Sequence, residues 1–367
     1  MKVTFFNYQH LYSSDKENFD IIFSDIGSRG AFIMQNDLVE FEIEIAKFSA
    51  CKYAIGVGNA TDALEILLQA SGIGAGDEVI FCSHTMVATS SAIYMSGATP
   101  VPVEAGNDHL IDPKAIELAI TPKTKAIMPT QLNGRTANMD EIQKIADENE
   151  LLIIEDSAQA LGSTYKGTHA GTFGVGGCIS FYPAKVLGCF GDGGMILTNS
   201  TEINEKARLI RDHGRDPVTG DIVLWGRNSR LDNLQAAILK YQFINYEHTI
   251  ARRRELATMY HENLMDTSEL ILPPPPSNCS DHFDVFQNYE IEAKNRDNLK
   301  LYLSNNGVGT IIQWGGKAVH QFPKLGFDVS LPFTEKLFER MLLLPLNMSL
   351  SNNDVIYVCD TIKSFYK

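Results

Sequence analysis

The sequence is short of the residues that build disulfide frameworks, zinc sites and membrane spans. Its six cysteines are widely separated along 367 residues, with no CxxC pair and no histidine pair at ligand spacing. This pattern argues against a disulfide-rich scaffold and against a metal site. No apolar run approaches the roughly 20 residues that a membrane helix needs, and the polar stretch after Met1 does not fit a secretory signal. We therefore expect a soluble, cytoplasmic protein.

Positive charge is scarce as well. Lys and Arg number 31 against 45 Asp and Glu, which gives a formal net charge of −14 at pH 7. An acidic surface repels the phosphates of nucleic acids and of anionic lipids, so neither is expected as a partner. A single pocket can still be basic. The rest of the composition, with 44% hydrophobic residues, is that of an ordinary globular protein.

What is present between residues 36 and 199 is an alternation of short apolar runs and longer amphipathic stretches. The predicted strands are Tyr53–Val57, Glu78–Cys82, Thr99–Val103, Lys125–Pro129, Leu151–Glu155, Gly177–Tyr182 and Gly194–Thr198. The predicted helices between them are Leu38–Phe48, Ala63–Ser71, Val87–Ser96, Pro113–Ala119 and Met139–Asn149. Continuous apolar strands alternating with helices predict an α/β fold whose mostly parallel sheet is covered on both faces. Asn36 or Asp37 is expected to precede the first helix, and Asp112-Pro113 to open the fourth.

The remainder of the chain predicts a second, smaller α+β domain. Two helical stretches, Leu231–Phe243 and Tyr246–Met265, lead to the stiff run Pro273–Pro276. Beyond it the pattern predicts a strand at Asp284–Glu292 and helices at Arg296–Asn306, Thr334–Leu343 and Asn353–Tyr366. We divide the chain into a large domain, residues 1–245, and a small C-terminal domain, residues 246–367.

Three local patterns could carry chemistry, and each has an ordinary structural interpretation. The first is the turn from Gly56 to Leu64, which follows one predicted strand and opens a helix. Amides at such a helix start bind phosphate, and Thr61 could add a hydroxyl donor. The turn also suggests a dinucleotide-binding fingerprint, but Thr61 stands where the third glycine should be. An ordinary strand-to-helix turn remains open.

The second pattern is Asp156, which follows the buried strand Leu151–Glu155. Ligands of α/β sheets bind at the carboxyl ends of the strands, and a buried carboxylate there needs a cationic partner. The protonated ring nitrogen of a cofactor would serve. A carboxylate that caps the next turn is an equally good interpretation.

The third pattern is Lys185, which ends the run Ser180–Lys185 just before the glycine-rich turn Gly191–Gly194. A desolvated lysine has a lowered pKa and becomes a nucleophile or Schiff-base former. Most lysines are solvated surface charges instead. The order of the three patterns is what favours a functional site: a phosphate turn, then an acid after a strand, then a lysine before glycines.

With these three patterns in that order, the chain resembles the DegT/DnrJ/EryC1/StrS family of sugar aminotransferases. The motifs that carry the resemblance are GNATDAL, GATPVPVE, TPKTKAIMP, IIEDSAQALG, SFYPAK with GDGG, and NSRLDNLQAA. The resemblance spans nearly the whole chain, from Gly30 through residues 228–237 into the small domain. The resemblance implies a pyridoxal-phosphate enzyme of fold type I, like aspartate aminotransferase, with a mixed, mostly parallel sheet flanked by helices.

The resemblance also implies roles for single residues. Lys185 would form the internal aldimine with pyridoxal 5'-phosphate and then shuttle a proton, so it and Asp156, the partner of the pyridinium nitrogen, would be catalytic. Gln159 would hydrogen-bond the ring hydroxyl. The amide of Ala60, with Thr61 and Ser180, would hold the phosphate. Asn228 would reach the cofactor phosphate of a second subunit, which implies a homodimer with shared active sites.

Two segments depart from the family pattern. Met86 stands where most members stack an aromatic residue on the cofactor ring, and a thioether can take that place with a different shape. The neighbouring His84 is expected to lie behind the site. In the small-domain loop 310–322, many members carry a His-Tyr pair for the nucleotide diphosphate. This chain offers four other groups as candidate substrate contacts, namely Gln313, Trp314, Lys317 and His320; a packed interdomain loop is the alternative.

The function that the resemblance implies is transfer of an amino group from L-glutamate to a keto-sugar, with ping-pong kinetics. The acceptor would be a nucleotide-linked keto-hexose or, given the altered loop, a nucleotide-free 8-oxo-3-deoxy-octulosonate that becomes an 8-amino sugar. Either product would serve lipopolysaccharide or another bacterial surface glycan. Related sugar dehydratases replace the lysine, so Lys185 argues against that branch. An inactive scaffold or regulator of the same fold and a dinucleotide dehydrogenase are the remaining alternatives.

Overall fold

The computed structural model describes residues 2–277 and 280–367; Cys279 lies outside the described residues. The helices are α1 Tyr8–Ser13, α2 Lys16–Arg29, α3 Asn36–Phe48, α4 Ala60–Ala70, α5 Val87–Met95, α6 Pro113–Ala119, α7 Met139–Glu148, α8 Thr201–Arg211, α9 Asn233–Phe243, α10 Tyr246–Leu264, α11 Arg296–Asn305, α12 Pro332–Arg340 and α13 Asn352–Tyr366. The strands are β1 Tyr53–Val57, β2 Glu78–Cys82, β3 Thr99–Val103, β4 Thr124–Met128, β5 Leu152–Asp156, β6 Thr164–Tyr165, β7 Thr168–His169, β8 Gly176–Ser180, β9 Gly194–Thr198, β10 Leu270–Ile271, β11 His282–Phe283, β12 Tyr289–Ala293 and β13 Met341–Leu344.

Seven strands form the main sheet, in the order β1-β9-β8-β5-β4-β2-β3. The strand β9 pairs antiparallel with both of its neighbours, and the other pairs are parallel. All strands except β9 therefore point the same way, and their carboxyl ends meet at one edge of the sheet. The predicted mixed, mostly parallel sheet is confirmed. Four of the seven strands, β1, β2, β3 and β9, have the predicted bounds.

The core explains why this segment folds as a covered sheet. The helix α4 buries Leu64 and, three and four residues further on, Leu67 and Leu68 against the sheet. The opposite face is covered by α3 and α9, whose Phe41 and Leu239 are fully buried. Strands covered on both faces are apolar at successive positions rather than at alternate ones.

The C-terminal region has its own small sheet, β10-β12-β13, with α10, α11 and α13 packed around it. The first residues of the chain join this region: Val3 makes a parallel bridge with Val308, and Asn347 donates to two backbone carbonyls near the N-terminus. Tyr246, at the start of α10, packs into the core beside the main sheet and donates to the carbonyl of Leu161 at 2.8 Å. The division after residue 245 stays a prediction.

Two predicted elements of this region were wrong in part. The predicted helix Thr334–Leu343 ends at Arg340, and Met341–Leu344 form a strand because they pair with β12; leucines favour helices, but tertiary pairing outweighs that preference. The predicted strand Asp284–Glu292 begins only at Tyr289, because Phe286 takes a φ of 53° that no strand allows.

The helix starts agree with the prediction in part, and three helices were not predicted. Asp112 accepts from the amide of Lys114 at 3.0 Å with Pro113 first in α6, as predicted. Asn36 and Asp37 were predicted to precede α3 but are its first two residues, and Gln35 precedes it. The helices α1, α2 and α8 were not predicted. Among residues 2–277 and 280–367, none of the helices is both long and apolar enough to cross a membrane.

Candidate active site

A cavity of about 730 Å³ opens at the edge of the main sheet where β1, β5 and β8 end. Its size lies in the usual range for pockets that hold small ligands. Its lining brings together eight of the sequence-predicted residues, namely Ala60, Thr61, Met86, Asp156, Gln159, Ser180, Lys185 and Trp314. Residues that lie up to 254 positions apart in the sequence thus share one space.

One end of the cavity is the start of α4. The side chain of Asn59 accepts from the amide of Asp62 at 2.8 Å and caps the helix. The amides of Ala60 and Thr61 precede it in the first turn, where a helix offers donors to an outside acceptor. Gly194 on β9 lets the turn lie close, since a Cβ there would stand 2.4 Å from the carbonyl carbon of Asn59.

The carboxylate of Asp156 lies at the end of β5 and is 5% exposed. Its Oδ2 accepts from the hydroxyl of Thr89 at 2.6 Å, and its Oδ1 accepts from the amide of Ala158 at 3.2 Å and the thiol of Cys178 at 3.5 Å. The side chain is therefore fixed with its charge beside the cavity.

The preceding residue, Glu155, points to the other face of the sheet, as alternation along a strand requires. It accepts from Gln131 at 2.6 Å and from the amide of Phe173 at 2.7 Å. Burial raises the pKa of Glu155 to about 7. Of the two neighbouring acids, Asp156 alone lines the cavity.

Lys185 lies in the loop after β8, and the surrounding protein lowers the pKa of its amine; the charge of Asp156 opposes this shift only in part. The loop is held by Gln287, which donates to the carbonyl of Ala184 and accepts from the amide of Val186, both at 2.9 Å. Gly188 allows the tight return, since a Cβ there would stand 2.8 Å from the carbonyl oxygen of Pro183. The loop is thus held in place, and the amine that it carries is desolvated and within electrostatic reach of a carboxylate.

The rim of the cavity is apolar and exposed. Met86, directly before α5, and Tyr182, after β8, are 47% and 49% exposed although both line the cavity. Trp314 lines it from the C-terminal region and packs edge-on against His84 and at a tilt against Phe338. As expected, His84 itself is buried behind the site.

These residues fit pyridoxal phosphate. A helix start with two amides and the hydroxyls of Thr61 and Ser180 suits a phosphate, the buried carboxylate of Asp156 suits a protonated ring nitrogen, and the desolvated amine of Lys185 suits the aldehyde. Met86 could cover one face of the ring.

Four predicted residues lie elsewhere. His320 is buried with both ring nitrogens engaged, at 2.7 Å from Ser83 and 3.3 Å from Glu335. Gln313 is buried and donates to Asn133 at 3.0 Å. Lys317 and Asn228 are exposed and do not line the cavity of this chain.

The sequence interpretation missed the hydroxyl network behind Asp156. Thr89 lies 2.8 Å from Thr85, which lies 3.0 Å from Thr130. Thr85 lies two residues before α5 and Thr89 in its first turn, four positions apart, a spacing at which side chains at a helix start can meet. The spacing was a usable signal. Thr130, beyond β4, had no such signal.

Comparison with known proteins gives a consistent result. A model of the DegT/DnrJ/EryC1/StrS aminotransferase family matches residues 14–363. The "Pleiotropic regulatory protein" of Geobacillus stearothermophilus is 38% identical, over 100% of this chain and 99% of that protein. The dTDP-3-amino-3,4,6-trideoxy-alpha-D-glucose transaminase of Streptomyces venezuelae is 34% identical, over 99% and 96%. The crystal structure of S. venezuelae DesV in complex with a ketimine intermediate superposes with a TM-score of 0.95 at 34% identity, over 100% and 99%.

Proposed function

Since the chain belongs to the DegT/DnrJ/EryC1/StrS aminotransferase family and is a pyridoxal-phosphate-dependent aminotransferase, we propose that it moves an amino group from L-glutamate to a keto-sugar. One observation carries the proposal: a desolvated lysine, a fixed carboxylate and a free helix start line one cavity. Bound pyridoxal phosphate supplies an electron sink that makes the carbon next to the amine acidic.

The protein's own residues then have separate tasks. Lys185 removes the proton from the donor carbon and returns it, because burial lowers the pKa of its amine and so favours the uncharged, basic form. Asp156 holds the proton on the ring nitrogen. The start of α4 with Thr61 and Ser180 binds the phosphate, and Gln159 binds the ring oxygen.

For the acceptor we propose a nucleotide-linked keto-sugar whose product serves a bacterial surface glycan. The support is the printed name of the S. venezuelae relative, which is a dTDP-sugar transaminase, and the coverage of nearly the whole chain. Nucleotide-free 8-oxo-3-deoxy-octulosonate is the competing acceptor, and the experiment below separates the two.

A second copy of the chain completes the proposed site. Apolar side chains are exposed at the cavity rim and in the segment 218–225, where Trp225 is 91% exposed. Asn228 follows that segment and is exposed too. An exposed apolar rim around a cavity suits coverage by another protein surface. We propose a homodimer in which Asn228 reaches the phosphate of the partner's cofactor.

The test uses the protein loaded with pyridoxal phosphate. L-Glutamate should convert the aldehyde-form absorbance to that of the pyridoxamine form, with one 2-oxoglutarate released per site. A keto-sugar acceptor should then restore the first spectrum. Recovery of the aldehyde-form spectrum with the nucleotide-linked sugar supports the proposal. Recovery only with the nucleotide-free sugar acid would refute the proposed acceptor and identify the sugar acid in its place.

The matched variants are Lys185→Ala and Lys324→Ala. Lys185→Ala should abolish both half-reactions, whereas Lys324, an exposed residue away from the cavity lining, should be replaceable without effect. Conversion by glutamate at the normal rate in Lys185→Ala would refute the role of that amine. If glutamate does not convert the cofactor in the unmodified protein, the proposed activity is refuted and the inactive-scaffold alternative is favoured.

A further inference from the structure

The side-chain amide of Gln159 has a fixed direction. Its Oε1 accepts from the backbone N–H of Asn133 at 2.8 Å. A backbone N–H can only donate, so the atom that faces it is the amide oxygen and not the amide nitrogen. Because Gln159 lines the cavity, its NH₂ group is left to donate there.

Asn133 is held in turn by three side chains. Its backbone takes the left-handed conformation, with φ 57° and ψ 13°, which asparagine tolerates better than most residues. Its Oδ1 accepts from Asn288 at 2.9 Å and from Gln313 at 3.0 Å, and its Nδ2 donates to Glu290 at 3.2 Å. All three partners belong to the C-terminal region.

Glu290 is the anchor of this arrangement. It is 3% exposed, on β12, and its Oε1 lies 2.6 Å from Nδ1 of His109, while its Oε2 lies 3.6 Å from Nε2 of His84. The second nitrogen of His109 lies 3.2 Å from Glu292, which pairs with Arg340 at 2.7 Å. Burial alone would raise the pKa of Glu290, but the two histidines outweigh it and hold that pKa below its usual value.

We infer that Asn133 is a positioning residue, which turns the Gln159 amide nitrogen toward the cavity and links it to Asn288, Glu290 and Gln313 of the C-terminal region. The inference rests on the proposed role of Gln159 as donor to the cofactor's ring oxygen. A donor there stabilises the negative charge of the ring oxygen. The C-terminal strand β12 thereby acts on the cofactor ring without touching it.

The test reads the visible absorbance of the loaded protein against pH, with no sugar present. Without a donor, the ring oxygen holds its shared proton more tightly, so the midpoint of the absorbance change should rise. Gln159→Ala removes the donor altogether and gives the largest expected rise of the midpoint, about one pH unit, or tenfold in proton affinity. Asn133→Gly should raise the midpoint in the same direction, since glycine keeps the left-handed backbone but removes all three side-chain bonds.

A double-mutant cycle separates positioning from a general structural effect. If Asn133 acts through Gln159, the double variant Asn133→Gly with Gln159→Ala should match Gln159→Ala alone. The matched control is Asn295→Gly, since Asn295 is another left-handed asparagine, with φ 58°, at the start of the remote helix α11. It should leave the midpoint unchanged. Gln313→Ala removes one bond to Asn133 and serves if Asn133→Gly does not fold.

The outcomes are distinct. A shift in Gln159→Ala with none in Asn133→Gly or Gln313→Ala overturns the positioning inference alone. Additive shifts in the double variant overturn it too, since Asn133 would then act by another route. No shift in Gln159→Ala overturns the proposed contact of Gln159 and the inference together.

Discussion

The carboxylate of Asp156 is useful because every one of its neighbours keeps it in place. Thr89, Ala158 and Cys178 all donate to it, and a hydrogen bond from a neutral group leaves the charge of the acceptor intact. These three donors thus orient the side chain of Asp156. A proton on a cofactor nitrogen is then its natural counter-charge.

Replacement of Asp156 by asparagine should separate binding from chemistry. Asp156→Asn keeps the size of the side chain, so we expect the cofactor to stay bound. The neutral amide cannot hold a proton on the ring nitrogen. The rate of the glutamate half-reaction should fall by about 100-fold or more. Stopped-flow absorbance measures that rate.

The control for this change is Asp192→Asn, because Asp192 also lines the cavity but is exposed. It should stay within a few-fold of the unmodified rate. A near-normal rate in Asp156→Asn would remove the electrostatic role that we assign to it.

Single residues differ in how well the sequence predicts them. Lys185, Asp156, Ser180 and Thr61 follow strands or open a helix, and the fold rule that places ligands at strand ends brings them together. His320 shows the limit. Its bonds to Ser83 and Glu335 join segments that are distant in the sequence, and no local pattern shows such packing.

At the scale of elements, β12 carries two carboxylates that share one histidine. Burial would lower the pKa of His109, but hydrogen bonds to Glu290 and Glu292 raise it to about 10. A group whose pKa is higher in the folded than in the unfolded chain stabilises the fold at low pH. That contribution is complete below about pH 6.5, the pKa of an unfolded histidine, and is lost as the pH rises toward 10.

The variant His109→Asn should therefore cost most stability in acid. Asparagine suits the φ of 66° at this position, so the change mainly removes the ion pairs. We expect a loss of about 2 kcal/mol near pH 6 that shrinks by pH 9. The apparent Tm of variant and parent, measured at both pH values, gives the gap in stability between them.

His213→Asn is the matched control, since His213 also has a positive φ, 63°, but is exposed. Its effect should be small and equal at both pH values. A gap for His109→Asn that widens with pH would contradict a charged His109.

Helices and strands were predictable where the pattern of apolar residues along the sequence is regular. Every strand of the main sheet was predicted, because the strands at its centre are buried and consist of short, mostly apolar runs. The strand β13 was taken for the end of a helix because four successive apolar residues fit either structure. The helix α8 was missed although Ile203, Ala207 and Ile210 repeat at helical spacing.

At the scale of the whole molecule, the proposed shared site predicts rescue between inactive chains. A Lys185→Ala chain and an Asn228→Ala chain each lack one part of every site. In a mixed dimer, one of the two sites receives an intact Lys185 and an intact Asn228. After 1:1 exchange, half of the dimers are mixed, so activity should reach about a quarter of that of the parent.

The measurement is the steady-state rate after mixing, compared with the mean of the two variants kept apart. Sedimentation of the same samples reports their assembly. A rate that stays at the unmixed mean, in dimers proven to exchange, would refute the proposed contact of Asn228 with the partner's cofactor.

The bridge between Val3 and Val308 has a consequence for how the chain is made. Synthesis runs from the N-terminus, so the first residues leave the ribosome long before their partners at 307–309 and at Asn347 exist. The main sheet, complete by residue 198, can form during translation. The opening segment has to wait, and its docking is one of the last steps of biogenesis.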